Sequence, residues 1–289
     1  MKQALSRRHF LAGSTASLLA ASIFGQSNFP IRPNIVFILA DDLGYGDLSC
    51  YGQEKFQTQN IDRLAAEGIR FTHAYAGSSV CSPSRCALMT GLHTGHCSYR
   101  GNIQGEPGIS ASNVTIAEVL RAAGYRTGIF GKWGLGTVGR EGYPTRQGFD
   151  RWFGFLSQMQ AHDYYPQYLM DNDVAIGLNA NVVYGTKERK IYAPDLIMEK
   201  AKDWLAEQET GKPFFLYFPT TLPHANNEKG RDTGDGMEVP TKHPYADKPW
   251  PLPERGFAGM MHHLDQQVGQ LLAQLKRRSG SQHAGDLYQ

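Results

Sequence analysis

The sequence predicts an α/β fold in which a mostly parallel sheet is sandwiched by helices. Three observations lead there. Short, continuous apolar runs rich in β-branched and aromatic residues alternate with stretches of helical spacing, the pattern of a parallel sheet covered on both faces. The runs end next to polar groups, Asp41 and Asp42, Lys132, and His224, and ligand sites of open α/β sheets collect at the carboxyl ends of their strands. The chain has 289 residues and is 41% hydrophobic, enough to bury a full core.

In chain order, residues 1–27 carry Ser6, Arg7, Arg8, His9, Phe10 and Leu11, then a small-residue apolar run to Phe24. Gly13, Ser14, Thr15 and Ser17 interrupt that run, which is too weak for a spanning helix of about 20 residues. No stable membrane span is expected. The segment reads as an export signal, and its paired arginines resemble the twin-arginine class that carries folded proteins across the bacterial inner membrane. A general secretory signal is the alternative. Cleavage is expected between Ala21 and Ser27, leaving residues 28–289 as one folded domain, periplasmic or secreted after passage through the export machinery. The formal net charge is +2, and Lys2, Arg7 and Arg8 all lie in the acid-free first 27 positions. The remainder is close to neutral and has no basic run, so no nucleic-acid partner is expected.

Ile35, Val36, Phe37, Ile38 and Leu39 form an apolar run between Pro33 and the acidic pair Asp41–Asp42, which predicts a buried parallel strand. Residues 60–68 place Ile61, Leu64 and Ala65 on one helical face, and residues 69–74 read as the next strand. Ile116, Val119, Leu120 and Ala123 predict a helix closed by Gly124, followed by a strand over 125–130 with Lys132 just past its end. A helix over 194–208 precedes a strand over 212–218, and His224 follows in a Pro-flanked loop. Residues 220–255, with six prolines, are too long for a simple connection and are expected to be a substrate-facing or lid loop. From Gly256, the residues Met260, Leu264, Val268, Leu271, Leu272 and Leu275 make a helical stripe ending in Lys276, Arg277 and Arg278.

Between the second and third predicted strands lies Cys81, Ser82, Pro83, Ser84, Arg85, closed by Gly91. It reads as a helix start, with Ser82 as the cap, Pro83 at the first helical position and Gly91 at the end. Cys81 then sits at a helix N-terminus, where unpaired N–H groups and the helix dipole favour an anion. A buried structural cysteine is the alternative reading. Cys50, Cys86 and Cys97 make no disulfide framework, and Cys86, His93, His96 and Cys97 do not follow a standard zinc spacing.

The residues Cys81, Pro83 and Arg85 resemble the Cys-x-Pro-x-Arg signature of the type I sulfatases, whose cysteine is oxidised to formylglycine. The likeness extends from about residue 32 to 278 and includes Pro33 to Asp42 and Gly131, Lys132, Trp133. The resemblance implies an alkaline phosphatase-like fold and hydrolysis of a sulfate ester, small-molecule or carbohydrate. It implies that formylglycine-generating machinery converts Cys81, that Arg85 steadies the modified residue, and that Asp41 and Asp42 with the modified Cys81 hold a divalent metal. Calcium is favoured and magnesium less so. Lys132 matches the sulfate-binding lysine, His224 the histidine that contacts sulfate and serves the leaving group, and His162 a second active-site histidine. A non-catalytic remnant, or a phosphatase or phosphonate monoester hydrolase of the same superfamily, are the alternatives. Two departures stand out. Gly134 replaces the histidine of a common Lys-x-His, and after the last helix no Asp-Asn-Gly strand or small C-terminal domain follows. Asp265 and Asp286 are not convincing substitutes. The chain is therefore expected to lack the last core strand, with weak metal binding and little turnover.

Overall fold

A computed structural model describes residues 32–102, 108–183, 186–240 and 243–279. The expected export signal lies outside the described residues. In order, the elements are β1 (Ile35–Leu39), α1 (Gln59–Glu67), α2 (Cys81–Thr90), α3 (Ile116–Ala122), β2 (Arg126–Lys132), β3 (Arg151–Phe155), α4 (Gln158–His162), β4 (Tyr168–Asp171), β5 (Val174–Gly177), the two-residue strands β6 (Val182–Val183) and β7 (Thr186–Lys187), α5 (Ala193–Ala206), β8 (Phe214–Pro219), α6 (Asn227–Thr233) and α7 (Leu252–Ser279).

Among the described residues, six strands form one sheet in the order β1-β8-β2-β3-β4-β5. The first four are mutually parallel, with Ile35 opposite Phe215, Thr127 opposite Phe215, and Gly131 opposite Gly154. The last two turn back antiparallel. The expected α/β fold is thus observed, as a mixed sheet whose core is parallel. Because side chains alternate along a strand, each run of apolar residues feeds two cores. Ile35, Leu39, Ile129, Trp152, Phe215 and Tyr217 face Cys86 and Met89 of α2 and Ala117 and Leu120 of α3. Val36, Ile38, Phe130, Phe153, Phe214, Leu216 and Phe218 face Ile197, Ala201 and Trp204 of α5 and Leu271 and Leu275 of α7. Here is the reason these strands read as continuous apolar runs: both faces are buried.

Two strand expectations change. β1 is parallel, but it is an edge strand, half-buried, with Phe37 38% exposed. Residues 69–74 form no strand, and Ile69 and Phe71 are 82% and 64% exposed. Alternating apolar residues make a strand only where a neighbour takes their backbone hydrogen bonds. This segment is instead tied to the turn before α1, where the Tyr51 hydroxyl donates to the Phe71 carbonyl at 2.7 Å and the Arg70 guanidinium donates to the Cys50 carbonyl. The stretch 220–255 contains α6 and the start of α7, so only part of it is loop.

Close approach of three strands needs glycine at two places. Gly131 (φ 141°) and Gly154 (φ 150°) face each other in register. A Cβ on Gly131 would fall 2.1 Å from the Pro219 carbonyl oxygen, and one on Gly154 would fall 1.9 Å from the Gly131 oxygen. Lys132 is the next residue, so this contact sets where its side chain leaves the sheet.

Candidate active site

α2 begins at Cys81 itself. Val80 is the extended residue before it and offers no side-chain cap, while Gly91 closes the helix in the left-handed region at φ 68°, its N–H reaching the Ala87 carbonyl. Ser82 is not the cap expected from the sequence. The helix starts two residues earlier, and the Ser82 hydroxyl is engaged elsewhere: it donates to the Gly134 carbonyl at 3.1 Å and accepts from the Gln158 side chain at 2.9 Å. This bond ties the helix start to the loop after β2.

Strand ends deliver the charges. Asp41 follows β1 and is anchored by its N–H to the Leu222 carbonyl at 3.0 Å. Its carboxylate is 5% exposed and is met by the Lys132 ammonium at 2.6 Å and the Arg85 guanidinium at 3.3 Å. Burial alone would raise the Asp41 pKa, but these two cations outweigh it and bring it down to about 2. Arg85, one turn into α2, also donates to the Lys132 carbonyl at 2.6 Å, and burial, which favours the neutral guanidine, is overcome by Asp41 so that Arg85 stays charged. The Lys132 ammonium lies 3.6 Å from the Cys81 sulfur. Burial opposes ionisation of Cys81, yet His224, Lys132 and Arg85 together hold its pKa below the ordinary thiol value, against the opposing Asp41 charge. The pocket therefore stabilises negative charge at the position of the Cys81 side-chain terminus.

Two histidines complete the rim. His224 lies in the loop after β8, fixed by its N–H to the Thr221 carbonyl at 2.9 Å and by the Tyr164 hydroxyl on its own carbonyl at 2.6 Å. Its Nδ1–H donates to the Ala225 carbonyl at 2.6 Å, which leaves Nε2 toward Asp42 at 3.3 Å. Burial would lower its pKa, but Cys81, Asp41 and Asp42 raise it on balance. His162 is not on a loop: it ends α4, is buried, and stacks on His224 with ring centroids 4.7 Å apart at 12°. Its pKa is lowered by burial and by Lys132 and His224, against the Glu228 carboxylate 3.1 Å from Nδ1.

Cys81, Arg85, Lys132, His224 and Asp41 thus come together, with His162 and Asp42 joining through His224. Ligand atoms of Asp41, Cys81 and His224 lie within 4.8 Å of one another, the one such group among the described residues. Asp42 adopts φ 58°, a left-handed conformation uncommon outside glycine, and this turns its carboxylate back toward His224. Asp42, with its side chain 58% exposed, is not a member of that group, so the expected set of Asp41, Asp42 and Cys81 is brought together only in part, with the Asp41 carboxylate the hard-oxygen donor in it. Cys86 and Cys97 are buried while His93 and His96 are exposed, so the two pairs do not converge, and all four cysteines are free thiols. Asp265 is no ligand: from α7 its carboxylate accepts the Asn60 and Ile61 N–H groups at 2.9 Å each and caps α1. At Gly134, a Cβ would fall 1.9 Å from the Gln158 amide nitrogen; Gln158 occupies the space a longer residue there would need. Glu228 was not singled out from the sequence. It is one acid in a long polar stretch, and no local pattern pairs it with His162.

The family model described as Sulfatase matches residues 33–283. Arylsulfatase A of Homo sapiens is 41% identical over 235 residues, covering 73% of this chain and 45% of the relative. N-acetylgalactosamine-6-sulfatase of Sus scrofa is 33% identical over 225 residues, covering 72% and 43%. The chain thus spans under half the length of these relatives. Among solved structures, Ps i-CgsB in complex with k-i-k-neocarrahexaose aligns with a TM-score of 0.68 at 27% identity, covering 86% of this chain and 56% of that one.

Proposed function

The chain belongs to the sulfatase family, and on that premise we propose that the site hydrolyses sulfate esters, small-molecule or carbohydrate, with Cys81 oxidised to formylglycine as the source of the nucleophile. The observation that carries this reading is the charge arrangement around Cys81: the buried Lys132 lies 3.6 Å from its sulfur, and with Arg85 and His224 it favours negative charge there. A sulfate ester needs a nucleophile, cations against the charge of the transferring sulfuryl group, and a proton for the departing alcohol. Formylglycine in its hydrated form supplies the attacking oxygen and can release sulfate by returning to the aldehyde, which a thiolate cannot do. Lys132 then binds a sulfuryl oxygen, and Arg85 fixes the backbone carbonyl of Lys132 and the Asp41 carboxylate. His224, with Nδ1–H committed to Ala225, hands the proton on Nε2 to the alcohol oxygen as the S–O bond breaks. Asp41 and Asp42 are the residues that would hold the divalent metal, calcium in preference to magnesium. Such a cation lowers the pKa of a hydroxyl bound to it and offsets charge on sulfate oxygens.

Formylglycine-generating machinery and export to the periplasm or beyond belong to the same proposal, supported by the Cys81–Arg85 signature and by the arginine pair in residues 1–27. The test is turnover by the protein after expression with a formylglycine-generating enzyme. Release of 4-nitrophenol from its sulfate, well above that from its phosphate or a phosphonate monoester and lost in Cys81→Ala, supports the reading. Faster phosphate or phosphonate turnover assigns the site to the other hydrolases of the superfamily, and no turnover of any ester points to a non-catalytic member.

A further inference from the structure

Beside the reacting groups stands a second, separately built hydrogen-bonding unit. The His162 Nδ1 lies 3.1 Å from Oε2 and 3.4 Å from Oε1 of Glu228. A carboxylate only accepts, so Nδ1 carries the proton and Nε2 of the neutral ring is an acceptor. Among the described residues, no hydrogen bond is made to that Nε2. The arrangement is held from both sides. His162 is fixed by α4 and by its stack on His224. Glu228 is fixed in the first turn of α6, whose cap Asn226 accepts from the Lys229 N–H and donates its side-chain amide to the buried Glu238. The ring stack, with the His224 Nε2 3.3 Å from Asp42, puts the two imidazoles at one rim.

A sulfate ester group has only acceptor oxygens and offers nothing to an imidazole lone pair. What this nitrogen can take is an N–H or O–H donor on the alcohol part of the substrate. Resting on the sulfate-ester reading of the site, we propose that Glu228 and His162 form a specificity pair: Glu228 is a positioning residue that fixes the His162 tautomer, and His162 Nε2 accepts a hydrogen bond from a hydroxyl or amide beside the sulfated carbon. The pair selects hydroxylated, carbohydrate-like sulfate esters over simple aryl sulfates. A site built around a substrate donor discriminates strongly against analogues lacking it, because its own polar group is then left unpaired.

Glu228→Gln replaces a partner that only accepts by one that also donates: the ring proton is no longer held on Nδ1 and can sit on Nε2, where it meets the substrate donor. The side chain of Glu228 is half exposed, so the substitution is mild for folding. Binding is read by calorimetry in the Cys81→Ala background, where turnover cannot interfere, with galactose 6-sulfate and 4-nitrophenyl sulfate as probes. The proposal expects Glu228→Gln to weaken galactose 6-sulfate about tenfold or more while changing 4-nitrophenyl sulfate less than about threefold, and Glu228→Asp to restore much of the sugar binding. Equal losses on both esters, or no loss on the sugar, overturn the specificity pair and leave the sulfate site standing. Failure of the parent protein to bind either ester overturns the sulfate-ester reading and the pair with it.

Discussion

Lys132 is buried between the Asp41 carboxylate at 2.6 Å and the Cys81 sulfur at 3.6 Å. Replacing it by methionine keeps the apolar stem and removes the charge from the position where sulfuryl oxygens would lie. The expected cost is about 10²- to 10³-fold in kcat/KM for an aryl sulfate, the range found for loss of one preorganised donor, with circular dichroism unchanged. A loss under about threefold would remove Lys132 from the charge-stabilising role. Asp41 makes a second residue-level prediction. Its folded pKa of about 2 is below the ordinary 3.8, so the unfolded state binds the proton more tightly and stability rises with pH across that window. The contribution is complete above about pH 4 and is lost as pH falls toward 2, worth about 2 kcal/mol. Wild type should therefore lose more denaturant resistance between about pH 5 and about pH 3 than Asp41→Asn, whose amide does not titrate. Parallel losses would contradict the cited pairing. These residues were legible in the sequence because each sits at the end of an apolar run or in a short motif. Glu228 was not, since its meaning arises only when α6 folds over α4.

At the scale of elements, the chain is pinned by contacts that no local pattern announces. Asp265 of α7 caps α1 across 205 and 204 positions of sequence, to Asn60 and Ile61. Asp265→Ala is expected to cost about 1–3 kcal/mol, because it strands two N–H groups and the Asn60 amide, seen as a lower urea midpoint. Gly154→Ala should cost more, above about 2 kcal/mol, since the new Cβ would meet the Gly131 carbonyl and force β2 and β3 apart. An unchanged midpoint in that variant would mean that the sheet relaxes freely there. β2, β8, α3 and α5 matched their predicted places because their periodicity is strong. β3 was missed although Trp152, Phe153 and Phe155 in a five-residue run carry the signal of a buried strand. The error at 69–74 ran the other way: its alternation was correct for a strand, but pairing is a property of the neighbour and cannot be read from the segment alone.

Across the whole molecule, one sheet with two apolar faces brings four distant chain segments to a common rim: Asp41 after β1, Cys81 and Arg85 of α2, Lys132 of β2 and His224 after β8. The parallel core follows from runs buried on both faces, whereas the antiparallel β4–β5 edge, with only four residues to a strand and exposed at Val174 and Ile176, gave little pattern to read. The central claim is that this rim is built around an oxidised Cys81. Its most direct test is mass spectrometry of the tryptic peptide spanning residues 71–85, released after Arg70 and Arg85, from protein made together with a formylglycine-generating enzyme. The expected result is a peptide that has lost the thiol and reacts as an aldehyde with a hydrazide probe, and none in Cys81→Ala. A peptide that keeps its free, alkylatable thiol under conditions where a control sulfatase is fully converted would contradict it.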